Sequence, residues 1–144
     1  MRWVLANTPV VGACLGVHLL QTLPAVLATL VLSVLLARLA QRVRPLRAVI
    51  ASGSALLYAI PSLALFVILP IVLGTGIREI INVVVALTLY GLALLVPATV
   101  EALEAVDDGT RDAATAMGMG QVRRFWAVEL PLAGPAILAG LRVV

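Results

Sequence analysis

Three long apolar segments constrain this chain more than any other feature of its sequence. They cover residues 19–37, 48–73 and 80–100, and none of them contains a charged side chain. A helix of about 20 apolar residues crosses the ~30 Å hydrocarbon core of a bilayer. Only 12% of the chain is charged, whereas soluble domains carry roughly a quarter. The sequence therefore predicts an all-α, polytopic transmembrane helix bundle that forms a single domain over residues 1–144.

The two ends of the chain are less regular than these three segments. Residues 1–17 are apolar but interrupted by Asn7, Pro9 and two glycines, and we interpret them as a lead-in helix or strap on the outer face. Residues 132–144 begin a fourth apolar segment, which is short of the ~20 residues that a span needs. We therefore expect about four spans, the fourth truncated, in a domain that is incomplete at its C-terminus.

The positive charge between the first two apolar segments predicts an orientation. This stretch carries four arginines, Arg38, Arg42, Arg44 and Arg47. Loops rich in positive charge stay on the cytoplasmic side of a membrane, so this cluster does not indicate nucleic-acid binding. If residues 38–47 are cytoplasmic, the second span runs outward and the third returns. Residues 101–130 are then also predicted to be cytoplasmic, and the N-terminus is predicted to be outside.

The polar stretch between the third and fourth apolar segments is predicted to be structured. Asp107 or Asp108 is a favourable N-cap, and the alanines that follow favour a helix. Gly118 then permits a sharp or left-handed turn. A second helix is predicted from Gln121 to Leu130, after which a proline opens the next segment. Two short helices joined by a glycine turn predict a surface that contacts a partner.

Three elements of this stretch occur together at a recognisable spacing. They are Asp112-Ala113-Ala114, Gly118 and Glu129-Leu130-Pro131. This pattern resembles the EAA loop of ABC-transporter permeases of the binding-protein-dependent type, with Asp112 where that family usually has glutamate. The sequence is most similar to the osmoprotectant permeases at residues 117–119, 128–133 and 139–142, and residues 60–65 in the second apolar segment also resemble those permeases.

The resemblance implies a permease subunit of an ATP-driven importer in the plasma (inner) membrane of a bacterium or archaeon. The implied partners are an ABC ATPase subunit, a second permease copy or paralogue, an extracytoplasmic substrate-binding protein and the lipid bilayer. The implied solute is glycine betaine, choline, carnitine or proline betaine. Residues 101–130 would be the coupling loop, and the residues implied to contact the ATPase are Asp112, Ala113, Ala114, Met117, Gly118, Met119, Leu130 and Pro131.

Two alternatives to this interpretation remain open. One is an importer of an amino acid such as methionine, and the other is a membrane protein with a structural role and no transport. The chain lacks the Gly-x-x-x-x-Gly-Lys-Ser/Thr phosphate loop. The resemblance therefore places ATP and Mg on the partner ATPase and assigns neither a cofactor nor a catalytic residue to this chain. Cys14 is alone and His18 is alone, so no metal site is predicted.

Polar and aromatic side chains within the apolar segments are candidates for the translocation path. An aromatic face suits a quaternary ammonium ion, and Pro61 is predicted to kink the second segment. Arg142 lies in an apolar segment, where a charge is costly unless it faces water or the bundle interior. The alternative roles are helix packing and, for the arginine, structural pairing. The candidates are Tyr58, Pro61, Ser62, Tyr90 and Arg142.

Overall fold

The computed structural model describes residues 7–144, and every regular element in this part of the chain is a helix. The all-α prediction is confirmed. The part of the predicted lead-in that covers residues 1–6 lies outside the described residues. In chain order the elements are α1 (Thr8–Arg42), α2 (Arg44–Ala59), α3 (Ser62–Leu73), α4 (Ile80–Glu104), α5 (Asp108–Ala116), α6 (Gln121–Arg124), a π-helical turn (Phe125–Glu129) and α7 (Leu130–Leu141).

Two of the described helices are long and apolar enough to cross a membrane by themselves. They are α1 with 35 residues and α4 with 25. The second predicted span is divided into α2 and α3, whose axes meet at 105°. If that pair is one broken span, the described residues contain three candidate spans, and α7 lies where the short fourth span is expected. α7 has 12 residues, which is short of the ~20 that a straight span needs.

Helix α4 lies at the centre of the bundle and packs against α1, α2, α3 and α7. It comes very close to α1 at Gly91, where an added Cβ would lie 2.5 Å from the Thr29 Oγ1 atom. The Thr29 hydroxyl donates to the Thr88 carbonyl of α4 at 3.5 Å. Small residues at such contacts allow transmembrane helices to pack closely. Helices α1 and α4 are therefore in close contact at Gly91.

The boundaries in the N-terminal half differ from the prediction in three ways. The lead-in is not a separate element, because α1 runs without a break from Thr8 to Arg42. The arginine-rich loop is reduced to Val43, the residue between α1 and α2. The expected kink at Pro61 is a full break. Ile60 is extended, with φ −72° and ψ 126°, because the ring of the following proline disfavours helical backbone there.

The boundaries in the C-terminal half also differ. α4 continues to Glu104, so the connecting segment is shorter than the predicted residues 101–130. The helix that begins at Gln121 does not end at Leu130, because α6, the π-helical turn and α7 follow one another to Leu141 without a gap. The Leu130 N–H donates to the Phe125 carbonyl five residues earlier. This wider turn accommodates Pro131, whose ring would clash with a carbonyl in a regular α-helix.

Candidate functional site

Helix α5 has a defined cap at each end. The Asp107 carboxylate accepts a hydrogen bond from the Thr110 backbone N–H at 3.0 Å, which makes Asp107 the N-cap. At the other end Gly118 has a φ of +80°, and the Met119 N–H donates to the Ala114 carbonyl at 3.1 Å. This hydrogen bond spans five residues around a left-handed glycine, which is the Schellman motif. The predicted N-cap and the predicted left-handed glycine are both confirmed.

The two faces of α5 differ in exposure. The side chain of Ala114 is only 1% exposed, so this face of the helix packs against the bundle. Asp112 and Ala113 are exposed, and Met117 in the following turn is 69% exposed. Among the described residues, Asp112 has no hydrogen-bond or ion-pair partner. The exposed face of α5 therefore offers an unpaired carboxylate beside apolar side chains.

Two arginines tie α5 to its neighbours. Arg111 donates through Nη1 to the Asp108 carboxylate at 2.6 Å and through Nη2 to the Leu103 carbonyl of α4 at 2.6 Å. An arginine at this position satisfies one of the last carbonyls of a helix, which have no partner inside the helix. Arg124 of α6 donates through Nη1 to the Thr115 hydroxyl of α5 at 2.9 Å. Helix α5 is therefore hydrogen-bonded to both α4 and α6.

The base of this region contains a buried carboxylate, Glu129, which is 2% exposed. Its Oε1 atom accepts from Arg124 Nε at 2.8 Å, and its Oε2 atom accepts from Arg38 Nη1 at 3.4 Å. The Arg38 guanidinium also lies 4.4 Å from the centroid of the Phe125 ring and donates to the Gln121 carbonyl at 3.2 Å. Glu129 thus joins α1 to the segment that supports α5.

This pairing is the feature of the candidate site that the sequence does not predict. In the sequence Glu129 belongs to the motif without an assigned role, and Arg38 indicates only the orientation in the membrane. A signal was present, because an acidic residue next to a long apolar segment requires a partner if it is buried. The last two predicted coupling residues lie nearby. Leu130 packs against the buried cluster that contains Phe125, whereas Pro131 is exposed.

Four of the five residues predicted to line the translocation path lie at or next to the break between α2 and α3. The Tyr90 hydroxyl donates to the Ile60 carbonyl, which brings Tyr90 to the break at Pro61. Ser62 begins α3 directly after this break and is exposed. Tyr58 is 62% exposed on α2. The fifth residue, Arg142, is exposed and comes immediately after α7.

Comparison with known proteins identifies the family. Residues 19–144 match the profile of the family described as binding-protein-dependent transport system inner membrane component. The chain is 30% identical, over 87% of its length and 53% of the relative, to a glycine betaine/carnitine/choline transport system permease protein of Bacillus subtilis. It is 32% identical, over 99% of its length and 67% of the relative, to an osmoprotectant import permease protein of Salmonella typhimurium.

A third relative is the ergothioneine transport permease/ergothioneine binding protein of Helicobacter pylori, which is 42% identical over 60% of this chain and 15% of its own length. The chain spans between about half and two thirds of the length of the two permease proteins. No solved structure matches it significantly. The family match runs from within α1 to the last residue and includes α5 with both arginine contacts. The chain therefore belongs to the family of binding-protein-dependent transport system inner membrane components.

Proposed function

We propose that this chain is the membrane-spanning subunit of an ABC importer for a small solute, and that an ATPase subunit moves it through α5. The observation that carries this proposal is the structure of α5, with its caps, its exposed side chains and its hydrogen bond to α4. The helix is capped at both ends, exposes Asp112 and Met117, and is bonded to α4 through Arg111. A loop that only connects two spans needs none of these features.

The proposed coupling follows the bonds of α5. ATP and Mg²⁺ bind to the ATPase, and closure of two ATPase subunits moves the cleft in which α5 lies. The Arg111–Leu103 contact then acts on α4. The contacts of Arg124 with Thr115 and with Glu129, and of Glu129 with Arg38, act on α1. Because α1 and α4 are long helices in close contact, their inner ends move the translocation path with them.

The proposed solute carries a quaternary ammonium group, as glycine betaine, choline, carnitine and proline betaine do. The Bacillus relative, a glycine betaine/carnitine/choline transport system permease protein, supports this class, and the Salmonella relative supports an osmoprotectant. Tyr58, which is exposed one residue before the end of α2, offers an aromatic face to such a cation. Uptake of glycine betaine in preference to methionine distinguishes this proposal from an amino-acid importer.

The proposed assembly contains a second permease copy or paralogue, two ATPase subunits and an extracytoplasmic binding protein, in a bacterial or archaeal inner membrane. Residues 38–47 and the α5 region are on the cytoplasmic side in this proposal, and the N-terminus is outside. The positive-inside rule supports this orientation, because Arg38, Arg42, Arg111 and Arg124 all lie at the α5 end of the bundle.

The test is substitution of Gly118 by leucine in the protein reconstituted in liposomes with its ATPase and binding protein. Gly118→Leu should weaken ATPase association or uncouple hydrolysis from uptake, because a side chain opposes the φ of +80°. Asp112→Ala should have a milder effect, since one exposed ion pair contributes little.

The matched control for this test is Gly53→Leu. Gly53 lies on α2, and a Cβ added there meets nothing within 4 Å. This variant should insert, associate and transport normally. Normal association and normally coupled uptake by Gly118→Leu would show that α5 is not the coupling element.

A further inference from the structure

A polar cleft lies at the α5 end of the bundle, between α1, α2, α4 and the α5–α6 segment. Its volume is about 360 Å³. Its walls come from five helices and the π-helical turn, which gives a concave site rather than a patch of surface charge. The lining residues are Arg38, Ala40, Gln41, Arg47, Glu104, Arg111, Arg124 and Glu129.

The cleft carries an excess of positive charge. Four arginines line it against two glutamates, and the exposed Asp108 outside it offsets part of the charge of Arg111. Arg47 uses only its Nη2 group, which donates to Glu104 at 2.9 Å. Arg124 uses Nε and Nη1, so its Nη2 group has no partner among the described residues. The free guanidinium N–H groups fit the oxygens of a phosphate.

A separate apolar groove lies along α1, on the N-terminal side of Arg38. Four of its lining residues, Leu30, Val31, Val34 and Leu35, stand eight, seven, four and three positions before Arg38. These intervals place them on the face of α1 that carries Arg38. The opposite wall begins at Trp126, next in sequence to the Phe125 ring that Arg38 covers. The groove has a volume of about 290 Å³, and its lining residues on α1 extend about 8 Å along the helix.

We propose that the cleft and the groove together bind one anionic phospholipid, with the phosphate in the cleft and an acyl chain in the groove. The positively charged cleft matches the phosphate of such a lipid, and the apolar groove matches its acyl chain. In a bilayer the phosphate lies at the membrane surface and the acyl chain lies in the hydrocarbon core, and the site has the same order. Basic pockets between helices at the membrane surface favour anionic headgroups. A zwitterionic lipid fits the groove equally well but does not match the charge of the cleft. The proposal rests on the proposed membrane placement and not on the solute or the ATPase.

The probe is quenching of Trp126 fluorescence by brominated lipids, with the protein reconstituted in bilayers of phosphatidylcholine and phosphatidylglycerol. A Trp3→Phe background removes the other tryptophan. Trp126 is 57% exposed and lines the groove, so an acyl chain there quenches it. Brominated phosphatidylglycerol should quench at a lower mole fraction than brominated phosphatidylcholine, with an affinity ratio of about fivefold or more.

Substitutions in the cleft change this ratio in opposite directions. Arg47→Gln should lower the preference for phosphatidylglycerol about fivefold, and its side chain is half-exposed, so the fold should tolerate the change. Glu104→Gln should raise the preference, a gain that misfolding does not produce. Arg78→Gln and Arg123→Gln remove the same charge outside the cleft and should leave the ratio unchanged.

Three results would overturn the proposal. Equal quenching by the two lipids would show that the cleft does not select the headgroup. No quenching by either lipid would show that the groove is filled by protein. Loss of the preference in millimolar inorganic phosphate at constant ionic strength would show that the cleft binds a free anion. None of these measurements requires ATP, binding protein or solute, so failure of the transport proposal would leave their result unaffected.

Discussion

Arg38 and Glu129, 91 positions apart in the chain, are joined by an ion pair with an Nη1–Oε2 distance of 3.4 Å. Arg38 is mostly buried, at 17% exposed, and Glu129 is 2% exposed. The contact connects the last full turn of α1 to the π-helical turn behind α5. It is the direct side-chain link, among the described residues, between the first long helix and the proposed coupling region.

Replacing Glu129 by alanine should cost about 3 kcal/mol of unfolding free energy, because loss of one partner leaves Arg38 and Arg124 facing each other without a counter-charge. Unfolding in mixed detergent, followed by circular dichroism, measures this loss. The control is Glu104→Ala, which breaks a pair that is half-exposed on both sides and should cost less than about 1 kcal/mol. Equal losses for the two variants would mean that burial of Glu129 contributes nothing.

Substitution of Gly118 by alanine tests the backbone conformation of the turn after α5 separately from any contact with a partner protein. The variant should lower local stability by about 1 kcal/mol, since a Cβ opposes the left-handed φ. No atom lies within 4 Å of the position of that Cβ, so a steric effect inside this chain is not expected. Hydrogen exchange of the α5 amides measures the change.

The control for the Gly118 experiment is Gly120→Ala, two positions later. Gly120 has a φ of −66°, which every residue adopts, and nothing lies within 4 Å of an added Cβ. In the Gly120→Ala variant, the α5 amide hydrogens should exchange at the same rate as in the parent protein. Faster exchange in both variants, by the same factor, would contradict the conformational explanation.

The sequence predicted the local features of this fold better than its long-range contacts. The N-cap at Asp107 and the turn at Gly118 follow from residue types at adjacent positions, and both are present. The break at Pro61 was expected as a kink, because proline marks the position of a distortion but not its angle. The pairing of Arg38 with Glu129 has no local pattern, since it depends on how α1 packs against a segment far along the chain.

Gly91→Ala should separate α1 from α4. The new Cβ would lie 2.5 Å from Oγ1 and 2.7 Å from Cγ2 of Thr29, so the helices must shift at a cost of about 1–3 kcal/mol. Thr29→Ala removes both of these atoms and should restore most of the loss in the double variant. Gly53→Ala, where nothing lies within 4 Å, should have no such effect. Detergent unfolding compares the parent, the two single variants, the double variant and Gly53→Ala, and additive losses in the double variant would contradict the contact.

Single cysteines at Val43 and Ile77 should be labelled from opposite sides of the membrane. Both side chains are exposed, at 41% and 84%, and each lies at one end of the α2–α3 pair. The free Cys14 is also exposed, so the experiment uses a Cys14→Ser background. A membrane-impermeant maleimide should label position 77 in intact cells and position 43 only after permeabilisation. Labelling of both positions from outside would show that α2 and α3 form a re-entrant element.

Tyr90→Phe should loosen the break between α2 and α3. The break leaves the Ile60 carbonyl without a helical partner, and the Tyr90 hydroxyl supplies the hydrogen bond. In a bilayer an unpaired carbonyl is costly, so the variant should favour geometries in which Ile60 finds another donor. Spin labels at the exposed Val49 and Val72, one on each helix, should therefore show a broader distance distribution. Tyr58→Phe removes a hydroxyl with no hydrogen-bond partner among the described residues and should leave that distribution unchanged. If the two variants give the same distribution as the parent protein, Pro61 alone holds the 105° angle, and Tyr90 is available for a role in the translocation path.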